Sequence, residues 1–288
     1  MIQDLDCGFL DNQYRPCEPA DEDIIVCIQK KDVLIKRTED NHLVLPTWKE
    51  VKAWSSDWTT WLDTPTKYVF SLQEKKYFLW MGQAGEGHDK EYAYESAMQL
   101  RQRKSKNICF AVMTAWHLYN WYRVNRFCGN CGQPTVHDGK ERMMRCPSCG
   151  NMIFPRIAPA VIIALTDGDN IMLPTHAALG KKRYGLIAGF VEIGETAEEA
   201  VAREVMEEVG LKVKNIRYYK SQPWGVAGNL SIGYFCDLDG DNKVTLDEEE
   251  LLTAEWHNRY NLPPEAADDD ISMTREMIRI FGEEKEPK

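Results

Sequence analysis

The sequence contains no long hydrophobic run, no internal repeat and no extended low-complexity segment. The longest obvious apolar run, APAVIIAL at 158–165, is less than half of the roughly 18 residues that a membrane-spanning helix needs, and it is typical of a buried strand. The first residues, MIQDLDCGFLDNQ, carry early acids and lack the basic and then apolar order of a secretory signal. We therefore expect a cytoplasmic protein without a membrane span.

Basic residues are fewer than acidic ones, 35 against 45, and they are concentrated in one segment of the chain. The net charge of −10 argues against general affinity for nucleic acids. Residues 101–183 contain thirteen Lys or Arg against four Asp or Glu, a charge of +9 that leaves −19 for the rest of the chain. Two interpretations stay open: this basic segment is ordinary solvated surface, or it favours a phosphate-bearing ligand.

Strand and helix patterns alternate along the chain, whose 43% hydrophobic residues and nine Trp indicate a folded protein. Before residue 126, strands are predicted at DEDIIVCIQ, DVLIKR and KYVFSLQEKKYFLWMG, with a hairpin turn at EKK. AYESAMQLRQ and NICFAVMTAWHLYNWYRV are predicted helices. Later strands are predicted at PAVIIALT, IMLPTH, NIRYYKSQPW, LSIGYFCDL and KVTLD, and a C-terminal helix is predicted at ISMTREMIRIFG.

Four of the nine cysteines form a motif. The two Cys-x-x-Cys pairs are separated by fourteen residues, close to the spacing of a zinc ribbon, in which four thiolates complete a tetrahedral structural site. Glycines beside these pairs allow the tight turns that direct the sulfurs. A pair of redox disulfides is the alternative, which a reduced cytoplasm disfavours. The predicted zinc ligands are Cys128, Cys131, Cys146 and Cys149. The other cysteines, predicted to be buried or reduced, are Cys7, Cys17, Cys27, Cys109 and Cys236.

Three carboxylates crowd one short helix in GFVEIGETAEEAVAREVMEEVGL, residues 189–211. Thr196 and Glu199 form a capping box that starts the helix, and Gly210 ends it. Glu204, Glu207 and Glu208 fall within about one 100° sector, although like charges at this spacing destabilise a helix by roughly 0.2–0.5 kcal/mol per pair. A neighbouring arc of valines can pack on a sheet. A solvated acidic face is the alternative to a metal site.

The spacing of these residues resembles the Nudix box at every fixed position. Gly189, five residues, Glu195 and seven residues precede the run Arg203-Glu204-Val205-x-Glu207-Glu208-x-Gly210-Leu211. Carboxylates suit hard cations such as Mg²⁺ or Mn²⁺, which neutralise a pyrophosphate, polarise its phosphoryl oxygens and help to activate water. The resemblance implies that Arg203 orients the glutamates and that Gly189 permits a turn. It implies these ligands of the catalytic metal: Ala188 through its carbonyl, Glu204, Glu207, Glu208, and Glu250, with Glu248 and Glu249 close enough to confuse the last assignment.

A zinc ribbon before a Nudix domain resembles the NADH pyrophosphatases, also described as NAD-capped RNA hydrolases, from about residue 115 onward. The stretches that carry the resemblance include FPRIAPAVI, AGFVEIGET, VKNIRYYKSQPW and EEELLTAEW. It implies an α+β protein with an N-terminal α+β domain over 1–125, a zinc ribbon over 126–155, and an α/β/α sandwich around a mixed sheet over 156–288. It also implies a homodimer.

Substrate contacts are implied at two aromatics and one longer segment. Phe154 and Phe190 match family positions that contact or stack on substrate rings, although either could be a core residue. The family signature Gln-Pro-Trp-Pro-Phe-Pro-x-Ser is kept here only in its first three positions. The segment reads Gln222, Pro223, Trp224, Gly225, Val226, Ala227, Gly228 and Asn229.

DLDGDNKVTLDE at 237–248 imitates an EF-hand loop at Asp237, Asp239, Asp241 and Glu248. Asn242 stands where the loop needs glycine, and the preceding residues are strand-like. A hairpin turn at GDN is therefore the better interpretation.

The predicted function is hydrolysis of the pyrophosphate bond of NAD(H) to nicotinamide mononucleotide and AMP, and of an NAD cap on RNA by the same reaction. One alternative keeps the chemistry and changes the substrate to ADP-ribose or another nucleoside diphosphate derivative. The other is a non-catalytic module that binds RNA or protein.

Overall fold

The computed structural model of the chain divides it into two compact units. The first, called the N-terminal unit, comprises Asp4–Arg156 and Gly225–Gly228. The second, called the C-terminal unit, comprises Met1–Gln3, Ile157–Trp224 and Asn229–Lys288. The structure describes residues 1–5, 10–40, 42–54, 60–82, 91–97, 100, 105–176, 184–264 and 271–287.

The N-terminal unit contains a seven-stranded sheet of mostly antiparallel strands. Its strands are β1 Leu10–Asp11, β2 Ile24–Gln29, β3 Asp32–Arg37, β4 Leu43–Val44, β5 Thr66–Leu72, β6 Lys75–Trp80 and β7 Tyr92–Ser96. They are ordered β1-β5-β6-β2-β3-β4, and β7 pairs with β3. Only β2 and β6 pair in parallel among these strands.

Two sequence predictions in this unit are wrong in detail. AYESAMQLRQ was expected to be helical, yet its first residues lie in β7, because hydrogen bonds to β3 outweigh its moderate helix propensity. The rest of that stretch lies mainly outside the described residues. The β5–β6 hairpin turns at Gln73 and Glu74, both with positive φ, and not at EKK.

Helix α1 spans Trp48–Trp54, and helix α2 spans Lys106–Val124, which confirms the helix predicted at NICFAVMTAWHLYNWYRV. Side chains of α2 such as Phe110 and Tyr122 are buried. Among the described residues, no helix has the length and apolarity to cross a membrane.

A small three-stranded sheet follows α2 and carries the four-cysteine motif. Its strands are β8 Val136–His137, β9 Met144–Arg145 and β10 Met152–Ile153, ordered β10-β9-β8. All pairs in it are antiparallel. This is the predicted ribbon.

The C-terminal unit has a mixed six-stranded sheet. Its strands are β11 Ala158–Asp167, β12 Asn170–His176, β13 Ile187–Phe190, β14 Val213–Trp224, β15 Asn229–Leu238 and β16 Leu251–Asn258. They are ordered β14-β15-β11-β12-β16, with β13 paired to β11. The β11–β15 pair is parallel and the others are antiparallel.

One helix packs on each face of this sheet. Helix α3, Ala197–Val209, joins the core that contains Val161 and Ile163 of β11. Helix α4, Met273–Gly282, joins the core that contains Ala164 of the same strand. Successive strand residues point to opposite faces, so one apolar run serves both cores. The predicted α/β/α sandwich around a mixed sheet is confirmed.

The segment after β15 differs from its prediction. KVTLD was expected to be a strand, but residues 241–247 form none, and the next strand, β16, pairs with β12. GDN is therefore not the turn of a hairpin. The carboxylate of Asp237, expected as the first residue of the EF-hand imitation, accepts hydrogen bonds from Arg217, Asn215 and Thr166. These hydrogen bonds fix the Asp237 carboxylate to neighbouring residues of the sheet, so it is not free to bind calcium.

Candidate active site

Helix α3 places its glutamates by the local signals that the sequence carries. The Thr196 hydroxyl accepts the Glu199 backbone N–H, and the Glu199 carboxylate accepts the Thr196 N–H, which completes the capping box. Gly210 ends the helix in the left-handed conformation, with φ of 70°. Val201, Val205 and Val209 are fully buried on the sheet, which puts Glu204 and Glu208 at the edge of the buried face.

Glycine is required at position 189 because a side chain there would not fit. Gly189 lies within strand β13 and is absent from the glycines with positive φ, so it does not make the loop turn that the resemblance implied. An added Cβ would lie 1.9 Å from the carboxyl carbon of Glu204. The Glu204 carboxylate therefore lies directly against the strand backbone, and any side chain at position 189 would displace it.

Arg203 binds three carboxylates at once. Its Nε and Nη2 donate to the two carboxylate oxygens of Glu195 at 2.8 and 2.9 Å. Its Nη1 donates to Glu204 at 2.7 Å and to Glu207 at 2.8 Å, and Nη2 also donates to the carbonyl of Phe190 at 2.9 Å. The guanidinium lowers the pKa of Glu195 to about 2. Arg203 offsets part of the repulsion among the glutamates and ties α3 to the end of β13.

Glu208 is the most unusual carboxylate of the helix. It is 2% exposed, and burial raises its pKa from 4.5 to about 8. Its Oε1 accepts the Ala188 backbone N–H at 3.4 Å, whereas its buried Oε2 has no hydrogen-bond partner. A buried carboxylate oxygen left unsatisfied costs roughly 1–3 kcal/mol or more, so this atom suits a cation as its missing partner.

The other glutamates, Glu204, Glu207 and Glu250, do not form a compact group of metal-binding oxygens with Glu208. Burial raises the pKa of Glu204, and the charge of Glu250 adds to this effect. Glu207 is the outermost member, with 57% of its side chain exposed. In the described part of the chain, the four cysteines are the one set of three or more metal-binding side chains whose donor atoms all lie within 4.8 Å of one another.

The ribbon cysteines are arranged for a tetrahedral metal. Sγ of Cys128 lies 3.6 Å from Sγ of Cys149, and Sγ of Cys131 lies 3.5 Å from that of Cys146. These distances exceed the roughly 2.05 Å of a disulfide bond. They approach the S···S edge of about 3.8 Å that Zn–S bonds of about 2.3 Å imply. The donor set therefore fits zinc, and the disulfide alternative does not match the thiol positions.

Backbone turns hold these sulfurs in place. Gly132 and Gly150 have φ of 73° and 76° and donate their N–H groups to the carbonyls of Cys128 and Cys146. The Cys131 backbone N–H helps to lower the pKa of Cys128 to about 6, which favours the thiolate that zinc binds. Of the remaining cysteines, Cys27, Cys109 and Cys236 are buried and Cys17 is exposed, while Cys7 lies outside the described residues.

Two side-chain amides reach the sulfurs across the ribbon. Asn130, in the first Cys-x-x-Cys turn, donates to Sγ of Cys149 at 3.6 Å. Asn151, beside the second turn, donates to Sγ of Cys128 at 3.6 Å. Each amide thus joins one turn to a sulfur of the other, a contact that spacing alone did not reveal.

Gln222 does not present its amide to a ligand. It is 2% exposed; its Nε2 donates to the Ile271 carbonyl at 2.7 Å and its Oε1 accepts the Met273 N–H at 2.8 Å. The amide therefore fastens β14 to the first turn of α4. Trp224 is half-buried and Pro223 is exposed at the end of the same strand.

The rest of the predicted substrate segment is a four-residue turn and the start of β15. Gly225, Val226, Ala227 and Gly228 form the turn, closed by a hydrogen bond from the Gly228 N–H to the Gly225 carbonyl. Asn229 opens β15 and is buried, with no hydrogen-bond partner for its Oδ1.

The two predicted aromatic contacts, Phe154 and Phe190, are each 54% exposed, so neither is a core residue.

Comparison with known families identifies two domains of the chain. Residues 156–277 match the NUDIX domain, and the fold of this unit agrees, so the region is a NUDIX domain. The segment before it, residues 123–154, matches the NADH pyrophosphatase zinc ribbon domain. The chain thus combines a NUDIX domain with this particular kind of zinc ribbon.

Curated relatives match about half of the chain. The NAD-capped RNA hydrolase NudC of Klebsiella pneumoniae strain 342 is 46% identical over 147 residues, 51% of this chain and 56% of that protein. The protein of the same name from Citrobacter koseri is 42% identical over 146 residues, with the same coverage of 51% and 56%. The chain therefore spans just over half the length of the curated relatives it matches.

Solved NUDIX structures are also similar. A NUDIX hydrolase from Nitrosomonas europaea has 20% identity and a TM-score of 0.47, and the match covers 56% of this chain and 92% of that one.

Proposed function

We propose that the protein hydrolyses the pyrophosphate bond of NAD(H), giving nicotinamide mononucleotide and AMP. The observation that carries the proposal is the buried, unpartnered Oε2 of Glu208 within a cluster of glutamates that Arg203 holds together. A buried carboxylate oxygen without a partner is costly, and a metal bound for hydrolysis would supply that partner. The relatives named NAD-capped RNA hydrolase support the choice of a nicotinamide dinucleotide.

The residues that would hold the catalytic divalent metal are those with oxygen donors beside β13. They are the Ala188 carbonyl, Glu204, Glu207, Glu208 and Glu250. A bound Mg²⁺ or Mn²⁺ would neutralise the pyrophosphate and lower the pKa of water for attack on phosphorus. In this proposal Arg203 is the residue that aligns the glutamates, and Gly189 leaves the space that Glu204 occupies.

The exposed aromatics supply a reason to favour a substrate with flat bases. We assign Phe154 and Phe190 to contacts with the rings of the dinucleotide, because both match family positions that contact the substrate and both are more than half exposed. Trp224 at the end of β14, the turn 225–228 and Asn229 at the start of β15 are assigned as further substrate contacts. Gln222 acts indirectly, by fixing the strand that carries Trp224.

The same bond occurs in an NAD cap on RNA and in ADP-ribose. Removal of the cap by this reaction would leave a 5′-monophosphate end. ADP-ribose is the second candidate substrate, because the turn Gly225–Gly228 lacks the bulky Pro-Phe-Pro of the family signature and presents less surface to a second base. The shared feature of all three is a pyrophosphate beside adenosine.

A substrate panel with product identification tests the proposal. NADH, ADP-ribose and NAD-capped RNA are each incubated with the zinc-containing protein and Mn²⁺, and the products are separated by mass. The proposal expects cleavage between the two phosphorus atoms of NADH. Negligible NADH cleavage beside fast ADP-ribose cleavage would overturn the substrate, and no cleavage of any of the three would favour the binding-module alternative.

Three finer assignments accompany this function. Mn²⁺ and Mg²⁺ are separated by titrating each metal against turnover. A homodimer is proposed from the family resemblance, and analytical ultracentrifugation tests it. A cytoplasmic location is proposed because four free cysteines that lie close together need a reducing compartment to escape oxidation, and cell fractionation tests it.

A further inference from the structure

The segment after β15 runs alongside the end of α3. The Thr245 N–H donates to the carbonyl of Val209 at 2.9 Å, and the Asp247 N–H donates to the carbonyl of Glu208 at 3.0 Å. The last carbonyls of a helix have no partner within it, so these two bonds satisfy groups that would otherwise need water. The second of these bonds fixes the backbone of Asp247 directly against the backbone of Glu208.

Asp247 then begins a tight turn. Its Oδ1 accepts the backbone N–H of Glu249 at 2.9 Å. Its carbonyl accepts the N–H of Glu250 at 3.3 Å and the N–H of Leu251 at 3.0 Å. An aspartate that bonds its own backbone two residues on forms an Asx turn, which asparagine can form equally well. Glu250 leaves this turn just before β16 begins at Leu251.

The turn determines where Glu250 lies. Glu250 is exposed and its own side chain has no hydrogen bond that would fix it, among the contacts of the described residues. Its position relative to Glu208 therefore depends on the backbone of residues 247–250. That backbone is tied to α3 through Asp247 alone within this turn.

We propose that Asp247 is a positioning residue, which holds Glu250 beside Glu204 and Glu208 by capping the turn with its side chain. The proposal rests on the proposed function, in which these three glutamates bind the catalytic metal. Asp247 acts through the turn and does not itself bind the metal.

Three variants separate this role from a simple effect of charge. Asp247→Ala removes both the cap and the charge, and Asp247→Asn removes the charge but keeps the oxygen that caps Glu249. Asp241→Ala is the control, because Asp241 is an exposed acid of the segment between β15 and β16 that is not a candidate metal ligand. Mn²⁺ binding is measured by calorimetry without substrate, and the Mn²⁺ dependence of NADH turnover is measured in parallel. A thermal melt checks that each variant is folded.

We expect Asp247→Ala to weaken Mn²⁺ binding by about 10-fold, the lower end of what partners of metal ligands contribute. The Mn²⁺ concentration for half-maximal turnover should rise equally, with kcat at saturating Mn²⁺ nearly unchanged. Asp247→Asn and Asp241→Ala should stay within about twofold of the parent. Hydrogen exchange at the Glu249 amide should accelerate only in Asp247→Ala, and this readout does not depend on activity.

Equal weakening in Asp247→Ala and Asp247→Asn would overturn the proposal and assign the effect to the charge. Unchanged Mn²⁺ binding in Asp247→Ala would overturn it as well. A parent protein that neither binds Mn²⁺ nor needs it for turnover would refute the proposed function instead, so the two failures are distinguishable.

Discussion

The zinc ribbon and the proposed catalytic metal site of this chain are built in opposite ways. In the ribbon, the four sulfurs already lie within 4.8 Å of one another, and backbone turns hold them there. In the NUDIX domain, the carboxylates are spread along α3 and are held by Arg203 and by a single backbone N–H. The ribbon is a preformed, closed site, whereas the glutamate cluster is an open one.

The difference has a physical cause. Only some of the four thiols are ionised before the metal binds, because the pKa of Cys128 is lowered to about 6 whereas that of Cys131 is raised. The four sulfurs can therefore lie close together at little electrostatic cost. Carboxylates are charged at neutral pH, and their mutual repulsion must be offset by a cation or by protonation. The protein uses both means: Arg203 pairs with Glu204 and Glu207, and burial favours the protonated form of Glu208. A site that must exchange metal and substrate cannot be closed by its own ligands.

The largest expected effect comes from breaking the preformed site. Cys146 is fully buried, and Cys146→Ser should reduce bound zinc from one per chain to nearly none, since structural zinc contributes about 10–16 kcal/mol in zinc-finger peptides. Metal content is measured by mass spectrometry, and unfolding of the ribbon by amide NMR signals. Cys17→Ser, at an exposed cysteine outside the motif, is the control and should keep its zinc. A zinc-replete Cys146→Ser protein would contradict the assignment.

Breaking the open site should abolish chemistry and leave the fold intact. Glu208→Gln replaces a carboxylate that can bind a cation with a neutral amide at nearly constant volume, and kcat for NADH should fall by roughly 100-fold or more, as loss of a catalytic metal ligand costs about 3 kcal/mol. Glu198→Gln, on the first turn of α3, is the control because the amide oxygen can still accept from Tyr234. Bound zinc should be unchanged in both. Full activity of Glu208→Gln would refute its role as a ligand.

The buried carboxylate also predicts how the metal-free protein responds to pH. The pKa of Glu208 is raised from 4.5 to about 8, so the folded state holds a proton that the unfolded state has released between these values. The free energy of unfolding contributed by Glu208 must therefore fall as the pH rises from about 4.5 to about 8. Denaturant melts across this range should show the fall in the parent and lose this component in Glu208→Gln. Parallel curves for the two proteins would contradict the pKa assignment.

The smallest effect is expected at the amides that cross the ribbon. Asn130→Ala and Asn151→Ala each remove an N–H···S contact, and zinc affinity should fall by about 10–100-fold, the usual contribution of groups that bond to metal ligands. Zinc release to a coloured chelator measures this. Because the sulfurs are positioned mainly by backbone turns, the ribbon should still fold with zinc bound. Complete loss of zinc in either variant would mean that the site is less preformed than the structure indicates.

The features that could be predicted from the sequence are those that depend on local spacing along the chain. The capping box, the valine face and the three glutamates of α3 follow from helical periodicity within thirteen residues. The cysteine turns are equally local. These features need no knowledge of the rest of the fold, which is why both motifs could be recognised at once.

What the sequence did not reveal depends on partners that are distant along the chain. The need for glycine at position 189 comes from the carboxylate of Glu204, fifteen residues later in another element. The amide of Gln222 is used by α4, about fifty residues on. The first residues of AYESAMQLRQ lie in a strand because β3 offers them hydrogen bonds. KVTLD forms no strand beside β15, because both edges of β15 are already paired, with β11 and β14. Pairing between elements decides such cases.

NADH turnover as a function of added Mn²⁺, in protein whose zinc content is measured at each point, tests most directly whether the structural and catalytic metals occupy separate sites. We predict one zinc per chain throughout, no turnover before a second divalent metal is added, and saturable turnover to nicotinamide mononucleotide and AMP afterwards. Turnover that needs no added metal, or that follows zinc content and not Mn²⁺, would contradict the separation of a closed structural centre from an open catalytic one.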